Sequence, residues 1–269
     1  MSASIVQAED NDRFARLVLF IPEEAEPQPN YQERLGSLAL RTEAFFAQWM
    51  KHWERPIERS QIFARNEDGA IDVTLVKSDL LNSNGRAALP EIRRKAVMGA
   101  TKQLEISQNG IPVIWWVFYD YPGVQGFQGG ARGAGGIAVN AYPKGEEPID
   151  LEAELAEGAL SEMAIKGTIH EFGHALGLPH IGPRPSIDLG NTLMGPINRV
   201  FWQRSGSDDV RVYLSEASAA AVWKHPIFRS EKTPEPSMPA KISVKDLKVK
   251  ESENGKRIVI SGTLSADQS

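Results

Sequence analysis

Apolar and polar positions along the chain change period several times, and each change marks an element. Arg16 to Ile21 (RLVLFI) is a short run of β-formers closed by Pro22, the pattern of a buried strand. After a proline- and glutamate-rich stretch, Tyr31, Leu35, Leu38, Phe45, Trp49 and Trp53 recur three or four apart, which predicts an amphipathic helix ended by Pro56. Ile71 to Val76 alternates behind an Asn66-Glu67-Asp68-Gly69 turn and reads as a half-buried strand. Pro90 suits a first helical turn, and Ile92, Ala96, Val97, Ala100 and Leu104 carry helical spacing up to Asn109-Gly110. Ile111 to Tyr119 (IPVIWWVFY) is apolar without alternation, as a strand covered on both faces must be, and places Trp115 or Trp116 in the core. Gly123 to Gly136, half glycine, reads as a loop leading into a further strand at Ile137 to Tyr142. Asp150 opens a helical region running to Leu176, irregular chain follows, and Ser215 caps a short helix, Glu216 to Lys224. Strand, helix, strand, helix, strand in that order is the signature of an α/β (α+β) fold, helices packed on a sheet.

The last forty residues change character. SEKTPEPSMP, Ser230 to Pro239, has the composition of a linker. ISVKDLKV and RIVISGTL then alternate around Glu253-Asn254-Gly255, a β-hairpin too short to fold alone. The expected organisation is a main domain over 1–229, a linker over 230–239 and, over 240–269, the truncated start of an all-β, Ig-like module.

Composition narrows the chemistry. The chain has 269 residues, 41% of them hydrophobic, a net charge of −5, five histidines and no cysteine. A core of ordinary size can form, and no apolar run reaches the roughly 18 residues of a membrane span. The mild acidity and the lack of a lysine/arginine stripe argue against a nucleic-acid partner. Without cysteine, disulfides, thiolate metal sites and thiol nucleophiles are excluded, so any metal must be held by histidine and carboxylate.

Three of the five histidines fall in HEFGHALGLPH, His170 to His180. His170 and His174, four apart on a helix, project from one face and can share an ion. Gly177 permits the positive φ that stops the helix and turns the chain back, so His180 can reach the same ion. Three imidazoles leave one position of a tetrahedral zinc open, the mark of a catalytic and not a structural site. Glu171 points about 100° around the helix from His170, beside that open position, where it can act as base to a zinc-bound water and then return the proton to a leaving amine. Five matched positions at fixed spacing arise by chance in roughly 1 in 10⁵ chains of this size. His52 and His225, at helix ends, read as structural or solvent-facing.

At every defined position these residues match HExxHxxGxxH, and the chain resembles the metzincin zinc endopeptidases, nearest to bacterial matrixin- or pappalysin-like types. The resemblance implies a metzincin-like catalytic domain, a mixed twisted sheet with two packed helices and an active-site helix. It implies a methionine turn beneath the zinc ligands, for which Met194 in NTLMGP is the match. It makes Ile137 to Tyr142 an edge strand on which extended substrate adds, with Ile137, Ala138, Val139 and Asn140 as substrate-binding residues. It places the pocket for the residue after the scissile bond along the His180 to Met194 loop and beyond. Departures are clear too. Ile181 follows His180 where relatives carry aspartate or serine, Gly195-Pro196 leaves no counterpart to an astacin-type tyrosine ligand, and a cysteine switch is impossible.

The expected function is therefore a zinc-dependent endopeptidase acting on proteins or peptides through a zinc-bound water activated by Glu171. Two other classes stay open: a catalytically silent, zinc-stabilised binding or adhesion module, and a zinc hydrolase of a non-peptide amide. Calcium, which many metzincins carry, has no specific motif here; Asp150, Glu152, Glu154 and Glu157 more simply suit a helix N-terminus. The resemblance implies secretion, whereas a true start at Met1 would put the protein in the cytoplasm.

Overall fold

The fold is organised by a five-stranded sheet whose strands bury both faces. The computed structural model describes residues 14–106, 113–143, 145, 149–156, 165–184, 186–229, 242–251 and 258–266. Strands β1 (Arg16–Ile21), β2 (Val73–Lys77), β3 (Ile114–Tyr119), β4 (Gln128–Arg132) and β5 (Gly135–Ala141) lie in the order β2-β1-β3-β5-β4. β1 runs parallel to β2 and β3, β3 parallel to β5, and β4 alone antiparallel to its neighbour. Helix α1 (Tyr31–His52) and helix α3 (Ile165–Ala175) cover one face, α2 (Leu89–Gln103) the other. Alternate side chains of one strand serve the two layers: Leu17, Leu19 and Ile21 join one core, Val18 and Phe20 the other. Both Trp115 and Trp116 are buried. The remaining described α-helices are α4 (Asn198–Ser205) and α5 (Glu216–Val222); β6 (Asn191–Thr192), ahead of α4, pairs in parallel with β7 (Val212–Tyr213), which lies between α4 and α5. Ser215 caps α5 as expected, its hydroxyl accepting from the Ser218 amide.

Three expectations need correction. Ile137 to Asn140 do not form an edge: β5 is hydrogen-bonded on both sides, and the edge belongs to β4, inside the glycine-rich stretch read as a loop. Ala138, Val139 and Asn140 are buried, and Asn140 accepts a hydrogen bond from the Trp116 indole at 3.0 Å, a core role in place of a substrate role. Two glycines of the β4–β5 hairpin, Gly129 and Gly136, are there because α3 lies directly against them. A Cβ on Gly129 would strike the Glu171 carbonyl, and one on Gly136 the Ala175 carbonyl. Second, Asn198–Ser205 is helical where irregular chain was expected. Third, the stretch opening at Asp150 is not helical over 149–156; Asp150 accepts from the Glu152 amide in a local turn, and 157–164 lie outside the described residues.

Phe172 roots α3. Its ring packs 4.8 Å from Trp116 and 5.2 Å from Phe63, and 6.3 Å from Phe46 of α1. The residue beside the candidate catalytic carboxylate is thus the junction of sheet and helices.

The chain divides into two compact units, Met1–Ser230 and Glu231–Ser269. In the second, β8 (Ile242–Glu251) and β9 (Ile258–Ala266) pair antiparallel with a register shift between Lys245 and Lys248. The expected linker and hairpin turn lie outside the described residues. Among the described residues no helix is long and apolar enough to cross a membrane.

Truncating the aromatic junction, Phe172→Ala, is predicted to destabilise the main unit by about 3–5 kcal/mol, measured as a lower midpoint in urea unfolding with unchanged slope. Gly136→Ala is predicted to destabilise as well, by prising α3 from the hairpin, even though alanine is ordinarily harmless in a strand.

Candidate metal centre and active site

The site is built by the end of α3 and the turn that follows it. Leu178 donates to the Gly173 carbonyl and Gly177 to the His174 carbonyl, both at 3.0 Å, with Gly177 at φ +85°. This pairing is a Schellman stop, which only glycine enters without strain. It reverses the chain so that His180 returns over the helix face carrying His170 and His174. His174 Nε2 lies 3.1 Å from His180 Nε2, which lies 3.2 Å from His170 Nε2. Among the described residues these three form the one group of metal-ligating side chains brought close together, and they could hold a metal ion.

The second nitrogen of each helical histidine is fixed. His170 Nδ1 donates to the Leu193 carbonyl at 2.8 Å and His174 Nδ1 to the Leu178 carbonyl at 2.7 Å. A proton held at Nδ1 leaves an unprotonated Nε2 lone pair, the form in which imidazole binds a metal. Burial, with help from the two neighbouring imidazoles and against the Leu193 contact, lowers the His170 pKa to about 4 and keeps the ring neutral. Lone pairs converging this closely repel unless a cation lies among them. A tetrahedral ion with metal–nitrogen bonds of about 2.0–2.1 Å separates its ligand nitrogens by about 3.3 Å, so the donor set fits one.

Met194 lies beneath the triad. The turn from Thr192 to Gly195 is closed by Gly195 donating to Thr192 at 3.1 Å and is tied to the third histidine's segment by Ile181 donating to the Met194 carbonyl at 3.0 Å. Met194 is buried, and its sulfur sits 2.6 Å from where a Cβ on Gly173 would stand. The methionine therefore fills the space that glycine leaves in the helix, a floor for the ligands.

Glu171 faces a cavity of about 620 Å³ whose lining includes Phe127, His170, His180, Met194 and Pro196. Burial raises its carboxyl to about 7, while His180, the Gly129 amide and Arg86 pull the other way. A carboxylate at that poise can take a proton and give it back near neutrality. Phe127 and Ile197, at the cavity mouth, are half exposed, and the Arg86 guanidinium lies 6.0 Å from the Phe127 ring centre.

His170, Glu171, His174, Gly177, His180 and Met194 thus come together, and Ile137 to Asn140 do not join them at a substrate edge. Asp150, Glu152 and Glu154 are exposed, and Glu157 lies outside the described residues. His52 packs edge-on to Trp49 and Trp53, and His225 Nδ1 accepts from the Ile227 amide. Sequence reasoning missed Lys166, Phe127 and Ile197 as cavity residues; only Lys166 carried a signal, sitting four before His170 in an apolar helix.

No protein-family model and no curated protein matches the chain. Solved structures of OgpA from Akkermansia muciniphila are similar in fold. Wild-type OgpA in one crystal form superposes with a TM-score of 0.62 at 18% identity, covering 95% of this chain and 72% of that one. A second crystal form gives 0.60 at 18%, covering 94% and 72%. Catalytically inactive OgpA in complex with an O-glycopeptide substrate, glycodrosocin, gives 0.60 at 18%, covering 94% and 71%. At this identity the likeness shows the mixed α/β fold.

A divalent cation is predicted to stabilise the protein by about 2.7 kcal/mol at a hundredfold excess over its Kd, seen as a raised melting temperature. His174→Ala should abolish both that rise and stoichiometric metal in elemental analysis.

Proposed function

We propose that the chain is a zinc-dependent endopeptidase of the metzincin type, hydrolysing peptide bonds with Glu171 as general base and acid. The observation that carries the reading is the convergence of three Nε2 lone pairs beside a cavity into which Glu171 faces. His170, His174 and His180 would hold the ion, which when bound supplies Lewis-acid polarisation of the scissile carbonyl and acidifies water.

This chain's own residues do the rest. The Leu193 and Leu178 carbonyls hold the helical imidazoles in one tautomer and orientation, so no reorganisation is needed as charge develops. Glu171, raised towards neutrality by burial, accepts the proton of the attacking water and delivers it to the departing amine, which leaves as a neutral group. A structural ion would have no use for a buried carboxylate at this position. The low dielectric that shifts Glu171 also strengthens every charge interaction at the reacting carbonyl.

The OgpA complex supports O-glycosylated peptides as the substrate class. The half-exposed Phe127 ring at the cavity mouth, with Arg86 beside it, is suited to stack on a sugar face and bind its hydroxyls.

Glu171→Ala is predicted to retain one equivalent of zinc and to lose kcat by about 10³-fold or more on peptides and O-glycopeptides. Undiminished turnover in that variant would overturn the mechanism.

A further inference from the structure

Lys166 lies one helical turn before His170, so it leaves α3 on the face that carries the histidines. It is only 2% exposed, yet it lines the cavity together with Met194, Pro196 and Ile197. Its ammonium donates to the Pro196 carbonyl, which also accepts from the Asn191 side-chain amide at 2.6 Å. Among the described residues it has no other hydrogen-bond partner, and no carboxylate pairs with it. An ammonium carries three protons, so most of its bonding capacity is unused.

With no carboxylate partner among the described residues, an ammonium held beside methionine, proline and isoleucine is costly, which is why burial lowers the lysine's pKa to about 7. An apolar side chain of the same length would pack there without that cost. The Pro196 carbonyl is already satisfied by the Asn191 amide, so Lys166 is not needed to keep that oxygen paired. An anion entering the cavity would offset the cost of burying the cation and hold the lysine in its ammonium form.

We propose that the cavity receives a substrate carboxylate, and that Lys166 is the residue that selects it. This rests on the peptidase reading above. The carboxylate can come from an aspartate or glutamate side chain or from an acidic sugar on the substrate, and a cavity of about 620 Å³ accommodates either.

Two substrate pairs separate these sources. One pair of peptides differs only in Glu or Gln at the residues flanking the scissile bond on both sides; one pair of O-glycopeptides differs only in whether the glycan ends in a neutral or a carboxylate-bearing sugar. With the zinc-loaded wild type, kcat/KM is expected to favour the charged member of one pair by about 30-fold, chiefly through KM. The pair that responds identifies the source. Lys166→Met should bring that ratio to near unity, and Lys166→Arg should keep a preference, which a mere tether for Pro196 would not produce. Equal kcat/KM within both pairs in the wild type overturns the proposal whether or not the variants fold. The same substrates bound to the uncleaving Glu171→Gln protein, read by fluorescence polarisation, test the subsite apart from turnover. Preference there with no wild-type cleavage would sink the peptidase reading and leave the anion subsite standing; no preference there would overturn the subsite.

Discussion

Everything at the site depends on how closely α3 can lie on the β4–β5 hairpin. The backbone carbonyls of Glu171 and Ala175 occupy the space where Gly129 and Gly136 would carry side chains, and the Met194 sulfur fills the corresponding space at Gly173. Helix and hairpin are therefore packed backbone to backbone, and the Met194 side chain fills against the helix at Gly173. That contact puts the Leu193 carbonyl within reach of His170 Nδ1 and brings Glu171 under the edge of the sheet. Any residue larger than glycine at these positions would move the ligands before it touched them.

The same constraint explains what the sequence could and could not disclose. Strands β1 and β3 were legible as short continuous apolar runs, and helices α1 and α2 because their buried side chains repeat with the helical period. The histidine triad was legible because it is local: one helical turn, one glycine stop and one return bring three imidazoles together within eleven residues. β4 was hidden for a physical reason. Glycines 129 and 130 show no alternation because they show no side chain, so an edge strand that must pass under a helix has the composition of a loop. With β4 hidden, β5 has the look of an edge and Asn140 of a substrate contact, whereas Asn140 is the acceptor of the Trp116 indole. The cavity walls at Phe127 and Pro196–Ile197 were beyond reach for another reason: they meet α3 only through tertiary packing, which leaves no periodic trace.

Buried charge separates structure from chemistry in this protein. Glu43 is buried too, and burial raises its pKa, but its carboxylate accepts from the Ile62 and Phe63 amides at 2.8 and 3.1 Å and from Arg65 at 2.7 Å. Arg34, 1% exposed, donates twice to the Pro143 carbonyl. Both fasten helix α1 to neighbouring segments, and their bonding is closed within the protein. Glu171 and Lys166 differ from them in two respects. Both line the cavity, and each is shifted to about 7 chiefly by burial, with few bonds to oppose it. A fold gains nothing in stability from leaving such groups under-bonded, since breaking or omitting a buried partner is destabilising. On the function proposed above, substrate completes both groups: Glu171 would move a proton and Lys166 would meet an anion, on a helix held close to the sheet.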